Sequence, residues 1–128
     1  MRVHVYTFCL DEARIVPFFL RHYHAGWVER IVVYDNESTD GSVELLKADR
    51  RVEVRTFSHP TLDDDAVLSP IRNSVWKESK GIADFVVMAD MDEFLYHSDM
   101  PAFLQRVKEP GLPVCRAFRW NMISKEVP

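Results

Sequence analysis

Asp84-Phe85-Val86-Val87-Met88-Ala89-Asp90-Met91-Asp92 is the stretch on which the fold turns. Its apolar run reads as a buried strand, and the strand ends in two carboxylates spaced i, i+2. Desolvated anions either raise their pKa or find a cation. For a pair of hard oxygen ligands the fitting cation is Mg²⁺ or Mn²⁺. A second apolar run, Ile31-Val32-Val33-Tyr34, leads into another acidic element, Asp35-Asn36-Glu37-Ser38-Thr39-Asp40-Gly41-Ser42. If both strands lie in one parallel sheet, both acidic ends face the same edge. That geometry suits a metal-bridged phosphate ligand.

Outward from these two strands the chain alternates. Residues 2–8 read as a first strand, and 12–25 as a helix with Ile15, Phe18, Phe19, His22 and Tyr23 on one stripe. Asp11 is the expected N-cap, Pro17 implies a kink or a later start, and Gly26 is the expected end. Residues 31–35 are the second strand, with 42–48 a short helix capped by Asp40, and 52–57 the third strand. A polar loop over 58–68 precedes a helix over 70–80, with Ile71 and Val75 inward and Gly81 at its end. Residues 84–89 are the fourth strand, 100–108 a helix after Ser98-Asp99, and 114–119 a fifth strand. Strands alternating with helices predict an α/β fold, a mostly parallel sheet with helices on both faces. Ligands then bind beyond the carboxyl ends of the strands, near the switch in strand order, which brings Thr7, Asp35 and Asp90 near one another.

The chain's 128 residues make one domain, 1–128, and 47% hydrophobic residues with 12% aromatics exclude a disordered chain. The formal charge of −4, without a Lys/Arg block, argues against a nucleic-acid polymer as partner. Cys9 and Cys115 have no framework spacing and read as reduced thiols. With no signal-like h-region and no transmembrane-length apolar stretch, the expected location is cytoplasmic.

Four stretches together resemble the nucleotide-sugar half of a GT-A glycosyltransferase, similar to glycosyltransferase family 2. They are Asp11-Glu12, the segment Tyr34 to Ser42, Arg72-Asn73, and Met88-Ala89-Asp90-Met91-Asp92-Glu93-Phe94, the last matching the family's D-x-D. The resemblance covers residues 2 to about 96. It implies a Rossmann-like donor-binding half and an inverting, metal-dependent transfer from a nucleotide-diphosphate sugar, with a UDP-sugar expected. The acceptor would be a saccharide or glycoconjugate. The cofactor would be Mn²⁺ or Mg²⁺, with Asp92 as direct metal ligand. Asp90 would hold the ribose or a metal-bound water. Asp35 would accept a hydrogen bond from the base, Thr7 and Glu12 would contact the base region, and Arg72 would pair with phosphate or pin Asp90. The family's general base typically comes from the C-terminal part, so the acceptor-binding part is expected to be missing and no catalytic base is assigned.

Other features read as structural. Asp40 and Ser38 shape a loop, and Gly41 serves backbone conformation. His22 and His24, two apart, make a poor metal pair. Asp63-Asp64-Asp65 reads as a solvated loop. His4 is a satisfied strand residue, and Trp120 is the aromatic best placed for an acceptor. The competing readings are a non-catalytic nucleotide-sugar-binding module and a haloacid dehalogenase-like phosphohydrolase. The second is weakened because Phe94 stands where that family has Thr or Val, and because the motif falls on the fourth strand. An exposed fifth strand would allow a homodimer.

Overall fold

The computed structural model describes residues 1–60, 65–109 and 117–118. Four strands, β1 Val3–Cys9, β2 Arg30–Asp35, β3 Val52–Thr56 and β4 Phe85–Met88, form one sheet in the order β3-β2-β1-β4. Every pairing is parallel. The helices are α1 Val16–His22, α2 Ser42–Lys47, α3 Asp65–Val75 and α4 Met100–Lys108, with a 3₁₀ turn over Trp76–Ser79. The chain steps outward from β1 through β2 to β3, then returns to the other side of β1 for β4. The switch in strand order therefore lies between β1 and β4, beside the carboxyl end of the central strand.

Strand β1 is buried at every position, because helices cover both faces of the sheet. On one face Val3, Val5 and Cys9 join Ile31 and Val33 beneath Phe19 of α1, Leu46 of α2 and Leu104 of α4. Each large apolar side chain buried there contributes about 1.5–3 kcal/mol. The opposite face is mixed, with Val32 and Phe8 buried beside polar groups. His4 Nδ1 lies 2.7 Å from Ser79 Oγ, and Tyr6 Oη lies 2.6 Å from the same hydroxyl. Arg55 donates to Glu78 at 2.8 Å and to Tyr34 Oη at 2.8 Å, while Arg30 pairs with Glu53 and Glu78. The 3₁₀ turn is thus held on the sheet by hydrogen bonds and ion pairs, whereas α1, α2 and α4 are held by apolar contact.

Several elements differ from the sequence reading. Helix α1 is shorter than the expected 12–25, since Asp11 takes a left-handed φ of 52° and cannot cap a helix. Pro17 falls in the first turn, which is the later start its ring favours. Phe18, expected on the buried stripe, is 52% exposed, while Phe19 is fully buried. The helix ends at His22, before Gly26. A Cβ on Gly26 would meet only the exposed His24 ring, at 2.6 Å, which a rotation of that side chain relieves. Helix α3 begins before Pro70 instead of at it. The stripe Leu68, Ile71 and Val75 recruits the preceding turn, and Leu68 is 1% exposed. Asp99 caps α4 as expected, its Oδ1 accepting from Ala102 N at 3.0 Å. The expected fifth strand lies outside the described residues except for 117 and 118, and Cys115, Trp120, Asp63 and Asp64 lie outside them too. Among the described residues, no helix is long and apolar enough to cross a membrane.

Neighbouring positions on α1 discriminate this packing. Phe19→Ala is expected to cost about 3–5 kcal/mol in urea unfolding, and Phe18→Ala about 0.5 kcal/mol or less. Similar losses for the two would mean that α1 presents a different face to the sheet.

Candidate functional site

The carboxyl ends of the strands converge on one edge, where Cys9 pairs with Asp35 and Asp35 with Thr56. Asp35 is the last residue of β2 and only 2% exposed. Its Oδ2 accepts from Ser38 N at 3.1 Å. Its Oδ1 is buried and, among the described residues, has no hydrogen-bond partner. A buried carboxylate oxygen without a donor is costly to the fold, and it marks a place where a ligand N–H would be welcome. The backbone around it is rigidly held. Phe57 N donates to Asp35 O at 2.9 Å. Asn36 grips the backbone of His59 with two hydrogen bonds of 2.7 Å each. This clamp fixes the edge of the Asp35 pocket. Only the strand neighbours in space reveal it, so the sequence reading missed it.

The loops after β1 and β2 are stapled to each other by four hydrogen bonds. Asp11 N donates to Ser38 Oγ at 2.9 Å, and Thr39 N donates to Asp11 Oδ1 at 2.7 Å. Glu12 N donates to Ser42 Oγ at 2.8 Å, and Ala13 N to Asp40 Oδ2 at 2.8 Å. Asp40 Oδ1 also accepts from Ser42 N at 3.0 Å. The Ser42 hydroxyl, first among several donors, holds the Asp40 carboxyl below its usual range. Ser38, Asp40 and Ser42 are therefore loop-forming residues, as their turn chemistry suggests. Gly41, at φ 95°, makes the corner into α2. The staples also hold Asp11 and Glu37 at φ 52° and 60°, conformations that cost on the order of 1–3 kcal/mol each.

Beyond β4 the chain turns at once. Glu93 N donates to Asp90 O at 3.0 Å, and Asp90 N donates back to Glu93 Oε2 at 3.1 Å. Met91, 2% exposed, plugs into the core and anchors the turn, so the flanking acids stay at the surface. Asp92 is exposed. Asp90 receives Arg72 Nη2 at 2.6 Å. Of the two roles expected for Arg72, pinning Asp90 is the one this geometry displays. The guanidinium lies 5.2 Å over the Phe8 ring, and its Nε is buried without a partner. Glu12 approaches from the β1 side. Burial first, and then the charges of Asp92, Asp40 and Asp90, hold its carboxyl above the usual range.

The structure thus brings Glu12, Asp90, Asp92 and Arg72 to one place. Asp35 lies on the same edge, two strand spacings from β4 and so roughly 10 Å away. Thr7 is not at the edge. It lies within β1, with Cys9 beyond it, fully buried, its hydroxyl 3.4 Å from Phe8 O. Cys9 is buried as well, and burial pushes its thiol up, away from reactivity. Among the described residues no group of three or more His, Cys, Asp or Glu side chains is placed to hold a metal ion. The carboxylates of Asp90 and Asp92 nevertheless suit a Mg²⁺-type ion, which takes one or two carboxylates and completes its shell with water and phosphate oxygens. No protein-family model matches this chain, and neither does any curated protein.

Glu12 gives the edge a measurable electrostatic signature. A carboxyl whose folded pKa is raised loses stability as the pH rises through that folded value. Glu12→Gln is therefore expected to raise the urea midpoint at neutral pH and to give no gain well below the ordinary value of 4.5. A uniform effect across that range would mean that the site carries no such repulsion.

Proposed function

We propose that this chain is the donor-binding part of a metal-dependent glycosyltransferase of the GT-A type. It would transfer a sugar from a nucleotide-diphosphate donor, uridine-linked by resemblance, to a saccharide or glycoconjugate acceptor with inversion. The observation that carries the reading is the meeting of Glu12, Asp90 and Asp92 beside the β1/β4 switch, with Asp90 held by Arg72. A parallel sheet places its ligand at such an edge.

Each side chain then has a distinct task. Asp92, exposed at the tip of the turn, would be the direct ligand of Mn²⁺ or Mg²⁺. When bound, the ion would neutralise the diphosphate and stabilise it as the leaving group. Asp90, held by Arg72 Nη2, would take the ribose or a metal-bound water, and the remaining guanidinium donors would meet a phosphate oxygen. The unpartnered Oδ1 of Asp35 supports a role in accepting an N–H from the base. Met91 keeps the two acids on the open side of the turn by staying in the core. The second reading is a module that binds the donor without turning it over. It is favoured by the commitment of Asp35, Asp90 and Asp92 to the donor, which leaves none of them to activate an acceptor hydroxyl.

Calorimetric titration of UDP and UDP-sugars with Mn²⁺, and then with EDTA, tests the proposal. Binding is expected with Mn²⁺ and to be lost with EDTA. Asp92→Ala should abolish the metal-dependent part while leaving the unfolding curve unchanged. Equal affinity in variant and parent would remove Asp92 from the metal site. Separately, Asp35→Ala should weaken free uridine nucleotides about tenfold, the loss of roughly one charge-assisted hydrogen bond. If the change appears only in thermal stability, Asp35 is a turn residue.

A further inference from the structure

The chain leaving the carboxylate turn is laid firmly against the end of α1. Tyr23 Oη donates to Glu93 O at 2.9 Å and accepts from Leu95 N at 3.1 Å. His22 Nε2 lies 2.8 Å from Leu95 O. Burial pushes the Tyr23 phenol up to about 12, so the phenol keeps its proton at any ordinary pH. Side chains that could have packed inward are left out by this seam. Phe94 is 40% exposed, Tyr96 79% and, across from them on α1, Phe18 52%. Together with Arg21, His24 and His97 they line a cavity of about 680 Å³. That volume is within the range of small-molecule sites, roughly 300–1,000 Å³.

The lining is neither a lipid groove nor a charged cleft. Exposed aromatic side chains stand beside polar groups that the fold leaves partly unused. Among the described residues, His24 uses only Nδ1, toward Gly26 N, and His97 only Nδ1, toward Asp99. Among the described residues the Tyr96 hydroxyl and the Arg21 guanidinium have no hydrogen-bond partner, although Arg21 lies 5.2 Å over the Phe18 ring. Flat apolar faces ringed by uncommitted donors and acceptors are complementary to a pyranose, which has an apolar C–H face and a rim of hydroxyls. One end of the lining is close in sequence to the carboxylates. Phe94 is two residues from Asp92, at most roughly 7 Å along the chain.

We propose that this cavity, between the end of α1 and the segment 94–101, is a saccharide subsite in which Phe94 and Tyr96 receive the acceptor sugar. Its role as the acceptor site rests on the glycosyl-transfer reading above, whereas its chemistry as a sugar site does not. The site would hold the acceptor saccharide and present its hydroxyl to the donor sugar without using any residue of the donor site.

Amide NMR spectra of the full chain, titrated with methyl β-glucopyranoside, methyl β-galactopyranoside, N-acetylglucosamine and cellobiose at millimolar concentrations, test this. At least one sugar should shift the amides of Phe94 to His97 and of Arg21 to Gly26. Tyr96→Ala, at an exposed position, should weaken that sugar about tenfold and leave binding of UDP with Mn²⁺ unchanged. If none of the sugars shifts these amides, or if Tyr96→Ala binds them as the parent does, the subsite is overturned. UDP binding in the same samples separates the two proposals. Bound UDP with no sugar response overturns the subsite alone. A sugar response at the cavity without UDP binding upholds the sugar site and overturns the donor reading.

Discussion

The parallel pairing of β1 with β2 on one side and β4 on the other is the constraint on which the rest depends. Parallel strands all end at the same edge, so the loops after β1, β2 and β4 have to share it. Each of those loops is rich in acids: Asp11-Glu12, Asp35 to Asp40, and Asp90 to Glu93. Antiparallel pairing would have sent every second one to the far edge. The concentration of negative charge at one end of the sheet follows from strand direction before any particular side chain is considered.

The fold handles that charge in two ways. Asp11 and Asp40, with their oxygens directed at backbone N–H groups, become staples between neighbouring loops. Their charge is spent on structure. Asp90 is neutralised by Arg72, and Asp92 is left at the surface. Glu12 and Asp35 are the two that remain costly. Burial and neighbouring carboxylates press on Glu12, and one oxygen of Asp35 lies buried without a donor. Sites that trade stability for later contacts with a ligand have this character. The two covered faces of the sheet differ in the same spirit. The face under α1, α2 and α4 is packed by apolar contact, and the face under the 3₁₀ turn adds hydrogen bonds and ion pairs to its buried apolar residues.

Most of the architecture was legible in the sequence because apolar runs of strand length, separated by helical stripes, have few ways to bury themselves. The strands and the α/β class follow from that pattern, and Asp99 as the cap of α4 follows from local chemistry. The misread boundaries have local causes. Asp11 looks like a helix cap, yet its carboxylate is claimed by Thr39 across the loop pair. Pro70 looks like a helix start, yet burial of Leu68 extends α3 past it. Phe18 sits on a helical stripe by spacing, but a helix of seven residues has room for only one buried face.

Within the acidic edge, Asp35, Asp90 and Asp92 follow in the sequence from strand ends and acid spacing, whereas Glu12 and Arg72 are expected there only from the family resemblance. Only the tertiary structure decided what each one faces. It put Arg72 on Asp90, enclosed Thr7 within β1, spent Asp40 on a loop and left one oxygen of Asp35 without a donor. It also turned Phe94 and Tyr96 outward, because Tyr23 and His22 hold the backbone between them. The physical reason is range. Strand and helix patterns are set by near neighbours along the chain, whereas the partner of a carboxylate or an aromatic ring is set by which distant segment the sheet order brings beside it.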